Sequence, residues 1–490
     1  MTTRQDNPLE LDPEAMRRLV DQALERLVGH VESLPEQALS ATSEGAAVAR
    51  SLVEALPERG VDFDELLELL FEHAIPCSYN TASPGYLAYI PGGGLFQSAV
   101  ADLIAGATNR YVGLWLAAPA LVELEANVVR WLAEMVGYPA SAGGLLTTGG
   151  SLANLTAMVT ARSERLPEDF LRGTLYTSDQ AHHSVIKAAT IAGFPPRNVR
   201  SVAVDDRFRL RLDALEEQIQ QDRQDGLKPF LVVGNAGTTN TGAVDDLAGL
   251  ASVAERHGLW LHIDAAYGGF FALTERGRSA LEGLERADSI TLDPHKGLFL
   301  PYGNGSLLMR DPAALKRAFS SQADYLPAMQ STAERVDYCE LSPELSRDFR
   351  GLRVWLPIKL HGIDAFRRNL DEKLDLARWA ADELRRIPQL EILAEPQLSL
   401  VVFRLAPPGL DDAALDALNR DFQERINQRQ RVFLTGTLLG SVFALRICVL
   451  SFRTHLDRME MALEDIRRAA AEVGDPEVIP EPEPVAAGAG

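Results

Sequence analysis

The spacing of apolar residues predicts a helical N-terminal arm. Apolar side chains recur at helical spacing in Met16, Leu19, Val20, Ala23, Leu24 and Leu27. Asp12 precedes this stretch as a capping residue, and Pro13 fits the first turn of a helix. A second amphipathic helix is predicted from Asp64 to His73, and a loop rich in proline and glycine follows it. Residues 1–82 are therefore predicted to form the arm.

Short apolar, β-branched runs alternate with longer helical patterns between residues 145 and 310. The runs that predict strands are 174–176, 199–204, 230–233, 260–263, 289–292 and 306–309. Strands that alternate with helices in this way indicate an α/β fold. Open α/β sheets bind ligands just beyond their strand ends, and the polar loops of this chain follow these strands. A large domain is predicted over residues 83–370.

The C-terminal quarter has a different pattern. A strand near 398–405, a helix over 411–430 and two further strands near 432–438 and 443–452 predict a small α+β domain, residues 371–474. A tail rich in Pro, Glu, Ala and Gly follows, and its composition is typical of disorder over residues 475–490.

Composition narrows the possible partners. The 490 residues carry a formal net charge of -21, which argues against nucleic acid and anionic membrane surfaces, because both bind basic proteins. No basic stretch leads into an apolar one, and no apolar run reaches the ~18 residues of a membrane span. Three scattered cysteines imply neither a disulfide framework nor a zinc site. A cytoplasmic protein without a metal site is expected.

Two residues that follow predicted strands carry the main chemical signal. Asp264 ends a strand in an apolar context, where its carboxylate needs a cationic partner: a protonated pyridine nitrogen, or an arginine. Lys296 follows another strand and is either a functional amine or an ordinary surface lysine. A lysine that holds an aldehyde as a Schiff base, with an aspartate that keeps the ring protonated, is typical of pyridoxal-phosphate enzymes.

Three further motifs are compatible with this cofactor. Gly149, Gly150 and Ser151 precede a helical run, where backbone N–H groups and the helix dipole can bind a phosphate, although an ordinary turn has the same composition. His182 follows a strand and is either a cofactor contact or a capping or surface residue. Thr239 lies in a polar loop that offers hydroxyl groups, or is simply a tight turn.

The order of these motifs resembles the group II pyridoxal-phosphate decarboxylases, which include aromatic amino acid, glutamate and diaminobutyrate decarboxylases. The resemblance runs from about residue 12 to residue 457, and its most specific segments are SDQAHHS at 178–184, HIDAAYGG at 262–269, DPHK at 293–296, and residues 115–119 and 123–125. It implies the type I, aspartate aminotransferase-like fold with a mainly parallel sheet. It also implies a homodimer with active sites at the subunit interface.

The resemblance also implies residue roles. Lys296 is expected to be the Schiff-base lysine, Asp264 the partner of the ring nitrogen and His182 the residue stacked on the ring. Tyr338 is expected to be a mobile-loop tyrosine that reaches the partner's site and protonates the carbanion. The other implied cofactor contacts are Gly149, Gly150, Ser151, Thr239, Ala266 and His295. The implied substrate wall comprises Tyr89, Pro91 and Tyr111.

Two positions depart from the family. Gly297 stands where tryptophan is usual, and Asp293 stands where many members have asparagine. A carboxylate near a phosphate is repulsive unless it is turned away or paired. The substrate wall favours an apolar or aromatic amino acid, whereas Arg110 nearby favours an acidic one.

The expected activity is decarboxylation of an L-amino acid to its amine and carbon dioxide. Oxidative aldehyde synthesis on the same scaffold is the nearest alternative, because the resemblance allows it as well. Transamination and side-chain lyase chemistry are further possibilities. A non-catalytic relative that binds pyridoxal phosphate is the remaining one, because fold alone does not imply activity.

Overall fold

A computed structural model of the chain describes residue 7 and residues 9–41, 45–320 and 335–473. Its α-helices are α1 Pro13–Glu32, α2 Gly45–Ser51, α3 Phe63–Glu68, α4 Phe96–Thr108, α5 Pro119–Met135, α6 Gly150–Arg165, α7 His183–Ile191, α8 Leu212–Gln224, α9 Leu247–His257, α10 Glu275–Ala280, α11 Pro294–Gly297, α12 Ala313–Phe319, α13 Gly351–His361, α14 Ile363–Leu384, α15 Asp412–Gln428 and α16 Leu456–Val473. Short 3₁₀ helices cover Pro196–Asn198, Gly269–Leu273, Leu284–Arg286 and Tyr338–Glu340, and a π-helical turn covers Leu69–Ala74.

A seven-stranded sheet forms the centre of the large domain. Its strands are β1 Gly143–Thr147, β2 Gly173–Ser178, β3 Val199–Val202, β4 Lys228–Asn235, β5 Trp260–Asp264, β6 Ser289–Leu292 and β7 Gly305–Met309, in the spatial order β1-β7-β6-β5-β4-β2-β3. The neighbours from β3 to β6 pair in parallel, and β7 runs antiparallel to both β6 and β1. The predicted α/β fold with a mainly parallel sheet is confirmed.

Alternate side chains of each strand enter two different cores. In β4, Leu231 and Val233 belong to the apolar cluster on one face of the sheet, while Val232 belongs to the cluster on the other face. In β1, Leu145 and Leu146 divide in the same way. Since both faces are covered, the strands read as nearly continuous apolar runs. The polar residues at their carboxyl ends therefore stand out in the sequence.

A second, antiparallel sheet forms the C-terminal region. Its strands are β8 Leu390–Ala394, β9 Leu400–Leu405, β10 Thr435–Leu439 and β11 Val442–Cys448, in the order β10-β11-β9-β8. Helices α14, α15 and α16 pack on it around one apolar core. Three of the strands were predicted from the sequence. Strand β8 was not, because four of its five residues are only partly buried and give no strong apolar pattern.

The predicted arm begins with α1. The Asp12 side chain accepts a hydrogen bond from the Ala15 backbone N–H at 2.7 Å, so it caps the helix as predicted. The predicted boundary between residues 370 and 371 falls inside α14, so the chain does not divide at a loop there. The predicted disordered tail, 475–490, lies outside the described residues. Within the described ranges, the helices are all too short or too polar to cross a membrane.

Candidate active site

A cavity of about 300 Å³ opens where the large sheet's strands end. The loops after β1, β2, β4, β5 and β6 contribute side chains to it. Its lining includes the predicted residues Gly149, Gly150, Ser151, His182, Thr239, Asp264, Ala266, His295 and Lys296. A larger cavity of about 860 Å³ lies elsewhere and contains none of them. The structure thus brings together the cofactor residues predicted from separate motifs.

Asp264 is buried at the end of β5, with 8% of its surface exposed. Its Oδ2 accepts a hydrogen bond from Asn154 Nδ2 at 2.9 Å, and its Oδ1 accepts one from the Ala266 backbone N–H at 3.2 Å. Both donors are neutral. None of the lysine or arginine side chains described in the structure forms an ion pair with this carboxylate. The arginine partner considered from the sequence is therefore not found, and the carboxylate's charge suits a protonated ring nitrogen in the cavity.

Asn154, on α6, connects Asp264 to a buried polar chain. Its Oδ1 accepts hydrogen bonds from Thr291 Oγ1 at 2.7 Å and from His262 Nε2 at 3.0 Å. The other nitrogen of His262 accepts from Ser289 Oγ at 2.8 Å, and Ser289 in turn accepts from the Trp260 indole at 2.9 Å. Burial lowers the pKa of His262 to about 4. A neutral His262 gives every partner in this chain a consistent donor or acceptor role.

His182 is the N-cap residue of α7 and lines the cavity. Asn154 Nδ2 also donates to Ser184 Oγ at 3.0 Å, and Ser184 Oγ lies 2.7 Å from His182 Nδ1. Because the Ser184 hydroxyl proton then points to Nδ1, the ring proton of neutral His182 is on Nε2. Burial lowers the pKa of His182, despite the opposing charge of Asp264. His182 is a capping residue that also lines the cavity, so the capping alternative is observed and the cofactor contact stays a prediction.

Lys296 lies on the short helix α11, directly after β6. Its Nζ lies 2.9 Å from Asp293 Oδ2, and the two side chains form an ion pair. Burial acts to lower the pKa of Lys296, but the charge of Asp293, its hydrogen bond and the charge of Asp264 outweigh burial and raise it. The alternative of an ordinary surface lysine is excluded by this position. Lys296 enters the cavity as an ammonium group held by Asp293.

The phosphate-binding prediction falls at the start of α6. Gly149 has a φ of +157°, and the helix begins at Gly150. A Cβ placed on Gly150 would lie 3.1 Å from Asp293 Oδ2 and 3.4 Å from the Ala266 Cβ, so a side chain here would crowd the cavity. Without a side chain at Gly150, an anion has room beside the first backbone N–H groups of a 16-residue helix. The lysine, the carboxylate and this helix start together fit pyridoxal phosphate.

Tyr338 does not occupy the position predicted for it. Its side chain is 1% exposed and lies in the core of its own subunit, where the Arg347 guanidinium is 4.6 Å from the ring centroid. Arg347 also forms a buried ion pair with Glu125 at 2.6 Å. A side chain enclosed in this way cannot reach a partner's active site, so the predicted protonating role of Tyr338 is wrong. The packing role that an isolated tyrosine suggests is the one observed. Tyr325, nearby in the chain, lies outside the described residues.

The predicted substrate wall divides into two places. A Cβ on Gly92 would meet the backbone of His295, so the segment that contains Tyr89 and Pro91 lies against the lysine motif. Tyr89 is 52% exposed beside it, Pro91 is buried, and neither lines the cavity of its own chain. Tyr111 is elsewhere: its hydroxyl donates to the Leu345 carbonyl at 3.0 Å, and it does not line the cavity of its own chain.

The sequence did not identify several residues that shape the site. Asn154 and Ser184 link Asp264 to His182 by hydrogen bonds. In the sequence they are only two polar residues in helices, and nothing indicates that both are buried. Arg446, inside a predicted strand, is buried and donates to the Thr239 carbonyl. The unusual Gly297 has a local cause, because a Cβ there would lie 2.7 Å from the Phe270 Cβ.

Comparison with known proteins agrees with this geometry. The family model of the pyridoxal-dependent decarboxylase conserved domain matches residues 47–406. An aromatic-L-amino-acid decarboxylase of Bacillus atrophaeus is 36% identical over 467 residues, covering 95% of this chain and 97% of the relative. Phenylacetaldehyde synthase of Petunia hybrida is 28% identical, covering 94% of this chain and 95% of the relative.

A solved structure shows the same fold. Tryptophan decarboxylase (TDC) of Oryza sativa, crystallised with pyridoxal phosphate (PLP) and tryptamine, superposes with a TM-score of 0.89 at 27% identity and covers 95% of this chain and 99% of its own. The predicted type I fold and the predicted cofactor are both confirmed. On its sequence, fold and site, this chain belongs to the pyridoxal-dependent decarboxylase family and is a pyridoxal-phosphate-dependent amino acid decarboxylase.

Proposed function

We propose that the substrate is an aromatic L-amino acid and that the product is its amine. One observation supports the assignment of the site. Lys296 and Asp264 line the same cavity, and no described lysine or arginine forms an ion pair with the Asp264 carboxylate. Lys296 would hold the cofactor aldehyde, Asp264 would bind the ring nitrogen and residues 149–151 would bind the phosphate. When bound, the cofactor supplies a protonated ring that accepts the electron pair left by carbon dioxide.

Asp264 would keep that ring protonated. A carboxylate that accepts hydrogen bonds from Asn154 and Ala266 is held in its charged form and in a fixed orientation, which supports its pairing with a ring N–H. The enclosing strand ends restrict water around the pair and so strengthen it. Ala266 and Thr239 would complete the cavity walls beside the ring.

His182 would position the substrate. Neutral His182 carries its proton on Nε2, because Ser184 fixes Nδ1 as an acceptor. A ring held at a helix N-cap can lie on a flat cofactor and offer Nε2–H to the substrate carboxylate. Holding that carboxylate at right angles to the cofactor plane aligns the bond that breaks with the ring's π system. His295, whose Nδ1 donates to the Asn304 carbonyl at 2.7 Å, would form the wall beside the phosphate.

The aromatic substrate class is supported by two observations. The segment of Tyr89 and Pro91 lies against the lysine motif and exposes the aromatic ring of Tyr89 there, whereas Arg110 is exposed to solvent. Relatives named for aromatic amino acids also align over nearly the full chain. An acidic substrate, the alternative that Arg110 suggested, would need a cation directed into the cavity.

A homodimer is proposed on the apolar surface that the single chain leaves uncovered. None of the residues of α1 is buried in its own chain. Exposed apolar side chains on α1 and α4 include Met16, Val20, Leu24, Leu27, Val28, Leu103 and Ile104. Surface of this kind marks an interaction site, and a second copy that covers it could also bring Tyr111 to the partner's cavity. The cytoplasmic location predicted from the sequence stays a prediction.

A second candidate function is aldehyde synthesis, in which decarboxylation is coupled to oxidation by dioxygen, so that the amine nitrogen is lost as ammonia and hydrogen peroxide is formed. It is favoured by one observation, the full-length alignment with a phenylacetaldehyde synthase. The experiment that separates the two is a product-resolved mass-spectrometric assay of the cofactor-loaded protein with tryptophan, tyrosine, phenylalanine, dihydroxyphenylalanine and glutamate. We expect amine from an aromatic substrate; aldehyde with ammonia would support the second candidate, and turnover of glutamate alone would contradict the substrate class.

A further inference from the structure

Asp293 lies between the active-site lysine and the start of α6. Its Oδ2 is 2.9 Å from Lys296 Nζ and 3.1 Å from the place that a Cβ on Gly150 would take. Its side chain is 4% exposed. The sequence left open whether this carboxylate is turned away from the phosphate site or paired. It is paired, and it is not turned away.

Lys296 is the counter-charge of this carboxylate. His295 Nε2 is 3.6 Å from Asp293 Oδ2, but the proton of neutral His295 is on Nδ1, which donates to the Asn304 carbonyl. Burial also lowers the pKa of His295, so the ring is neutral at pH 7. Asp293 Oδ1 is buried, and no described residue offers it a hydrogen-bond donor.

A phosphate at the start of α6 changes this balance. Its negative charge would lie beside the Asp293 carboxylate in a site with little water, where like charges repel strongly. The same cofactor also takes the Lys296 nitrogen into a covalent bond with its aldehyde carbon. The phosphate of the cofactor is therefore repelled by Asp293. The aldehyde of the cofactor competes with Asp293 for Lys296.

We propose that Asp293 sets the affinity of this chain for pyridoxal phosphate: its carboxylate holds Lys296 in the cofactor-free site and opposes the phosphate as the cofactor enters. The inference rests on the proposed placement of the phosphate at residues 149–151. Aspartate at position 293, where many family members have asparagine, would then determine how tightly the chain binds its cofactor.

The test uses two probes that cannot bond to Lys296. 4′-Deoxypyridoxine 5′-phosphate has a methyl group in place of the aldehyde, and 4′-deoxypyridoxine lacks the phosphate as well. Both are titrated by fluorescence into the full chain freed of cofactor, as wild type and as Asp293→Asn. The control is Asp288→Asn, which removes a half-buried carboxylate that directly precedes the opposite end of β6.

We expect Asp293→Asn to bind the phosphorylated probe about tenfold more tightly or better, which is about 1.4 kcal/mol or more. Binding of the unphosphorylated probe should change by less than about twofold, since the charge being removed acts on the phosphate. Asp288→Asn should change neither. Asp293→Ser removes the same charge with a smaller side chain and should reproduce the selective effect if asparagine disturbs packing.

Three results would overturn the proposal. Equal tightening of both probes would mean that the carboxylate does not act on the phosphate. Unchanged or weaker binding of the phosphorylated probe by both Asp293 variants would remove its opposing role. If neither wild type nor either Asp293 variant prefers the phosphorylated probe, the placement of the phosphate at residues 149–151 fails, and that failure is distinct from the first two.

Discussion

Asp264 and Asp293 are two carboxylates of one cavity that the fold prepares in opposite ways. Asp264 ends β5 and Asp293 follows β6, the neighbouring strand of the large sheet. Asp264 accepts hydrogen bonds on both oxygens from neutral donors, Asn154 and the Ala266 backbone. Asp293 has Lys296 on one oxygen and no described hydrogen-bond donor on the other.

The difference explains why one carboxylate can receive a cation and the other cannot. Neutral dipoles hold the charge of Asp264 in place without cancelling it, so a protonated ring nitrogen gains the full interaction. Asp293 already has a cation, Lys296, as its ion-pair partner. Both residues are aspartates at strand ends, Asp264 as the last residue of β5 and Asp293 as the residue after β6, so residue type alone does not distinguish them and the surrounding contacts do.

Asp264→Asn is the strongest test of this comparison. The variant keeps the side-chain shape but cannot hold the ring nitrogen in its protonated form, so we expect kcat/KM for the best aromatic substrate to fall by about 10³-fold or more. Steady-state kinetics measure it. Asp288→Asn is the matched control and should retain most of the activity. Comparable activity in Asp264→Asn and wild type would contradict the assigned role.

Asn154→Ala tests the neutral donors that prepare Asp264. It leaves the carboxylate with one donor fewer, and an unsatisfied buried charged group costs about 1–3 kcal/mol, so we expect kcat/KM to fall by about tenfold to a hundredfold. Ser184→Ala separates the two hydrogen bonds that Asn154 donates, since it keeps the one to Asp264 and removes Ser184 as the link to His182. If Asn154→Ala has wild-type kinetics, the donors do not matter for catalysis.

His262 should make the stability of the protein depend on pH. The pKa of His262 in the folded chain, about 4, lies below the ordinary value of 6.5. Between these two pH values His262 is protonated in the unfolded chain and neutral in the folded chain. Stability from this residue is fully present above pH 6.5 and is lost as pH falls toward 4, by up to about 3 kcal/mol.

Urea unfolding at fixed protein concentration measures this effect, with His262→Gln as the reference that does not titrate. Because His182 and His295 titrate in both proteins, the difference between wild type and variant isolates His262. The stability advantage of wild type should shrink between pH 7 and pH 4.5. An advantage that is the same at both values would show that His262 is not held neutral.

Tyr338→Phe should have the smallest effect. The hydroxyl is buried and has no hydrogen-bond partner among the described residues, while the ring contact with Arg347 is retained by phenylalanine. We expect kcat/KM and the ratio of amine to aldehyde to be unchanged, and the free energy of unfolding to shift by less than about 1 kcal/mol. A shift toward aldehyde in Tyr338→Phe would restore the role that burial excludes.

Much of the fold could be predicted because its signals are local. The strands of the large sheet are covered on both faces and so appear in the sequence as apolar runs. The predicted site residues stand out because they lie at or just after the ends of these runs: residues 149–151, 182, 264 and 296. The order of motifs along the chain then matched a known family. Strand β8 was missed because its residues are only partly buried.

The rest could not be predicted because it depends on contacts between distant segments. Asn154 lies 110 residues from Asp264 in the sequence, and nothing near either residue indicates the hydrogen bond between them. Tyr338 was assigned from its place in a motif, but burial beside Arg347 and Glu125 decides its role. Whether Asp293 is paired or turned away likewise needed the position of Lys296.

The central claim is that Lys296 is the residue that holds the cofactor beside Asp264. Reduction of the cofactor-loaded protein with sodium borohydride fixes the cofactor on its lysine, and peptide mass spectrometry then locates it. The account predicts a phosphopyridoxyl group on the peptide that contains Lys296. A modification on another lysine, such as Lys187 or Lys373, or none after full loading, would contradict it.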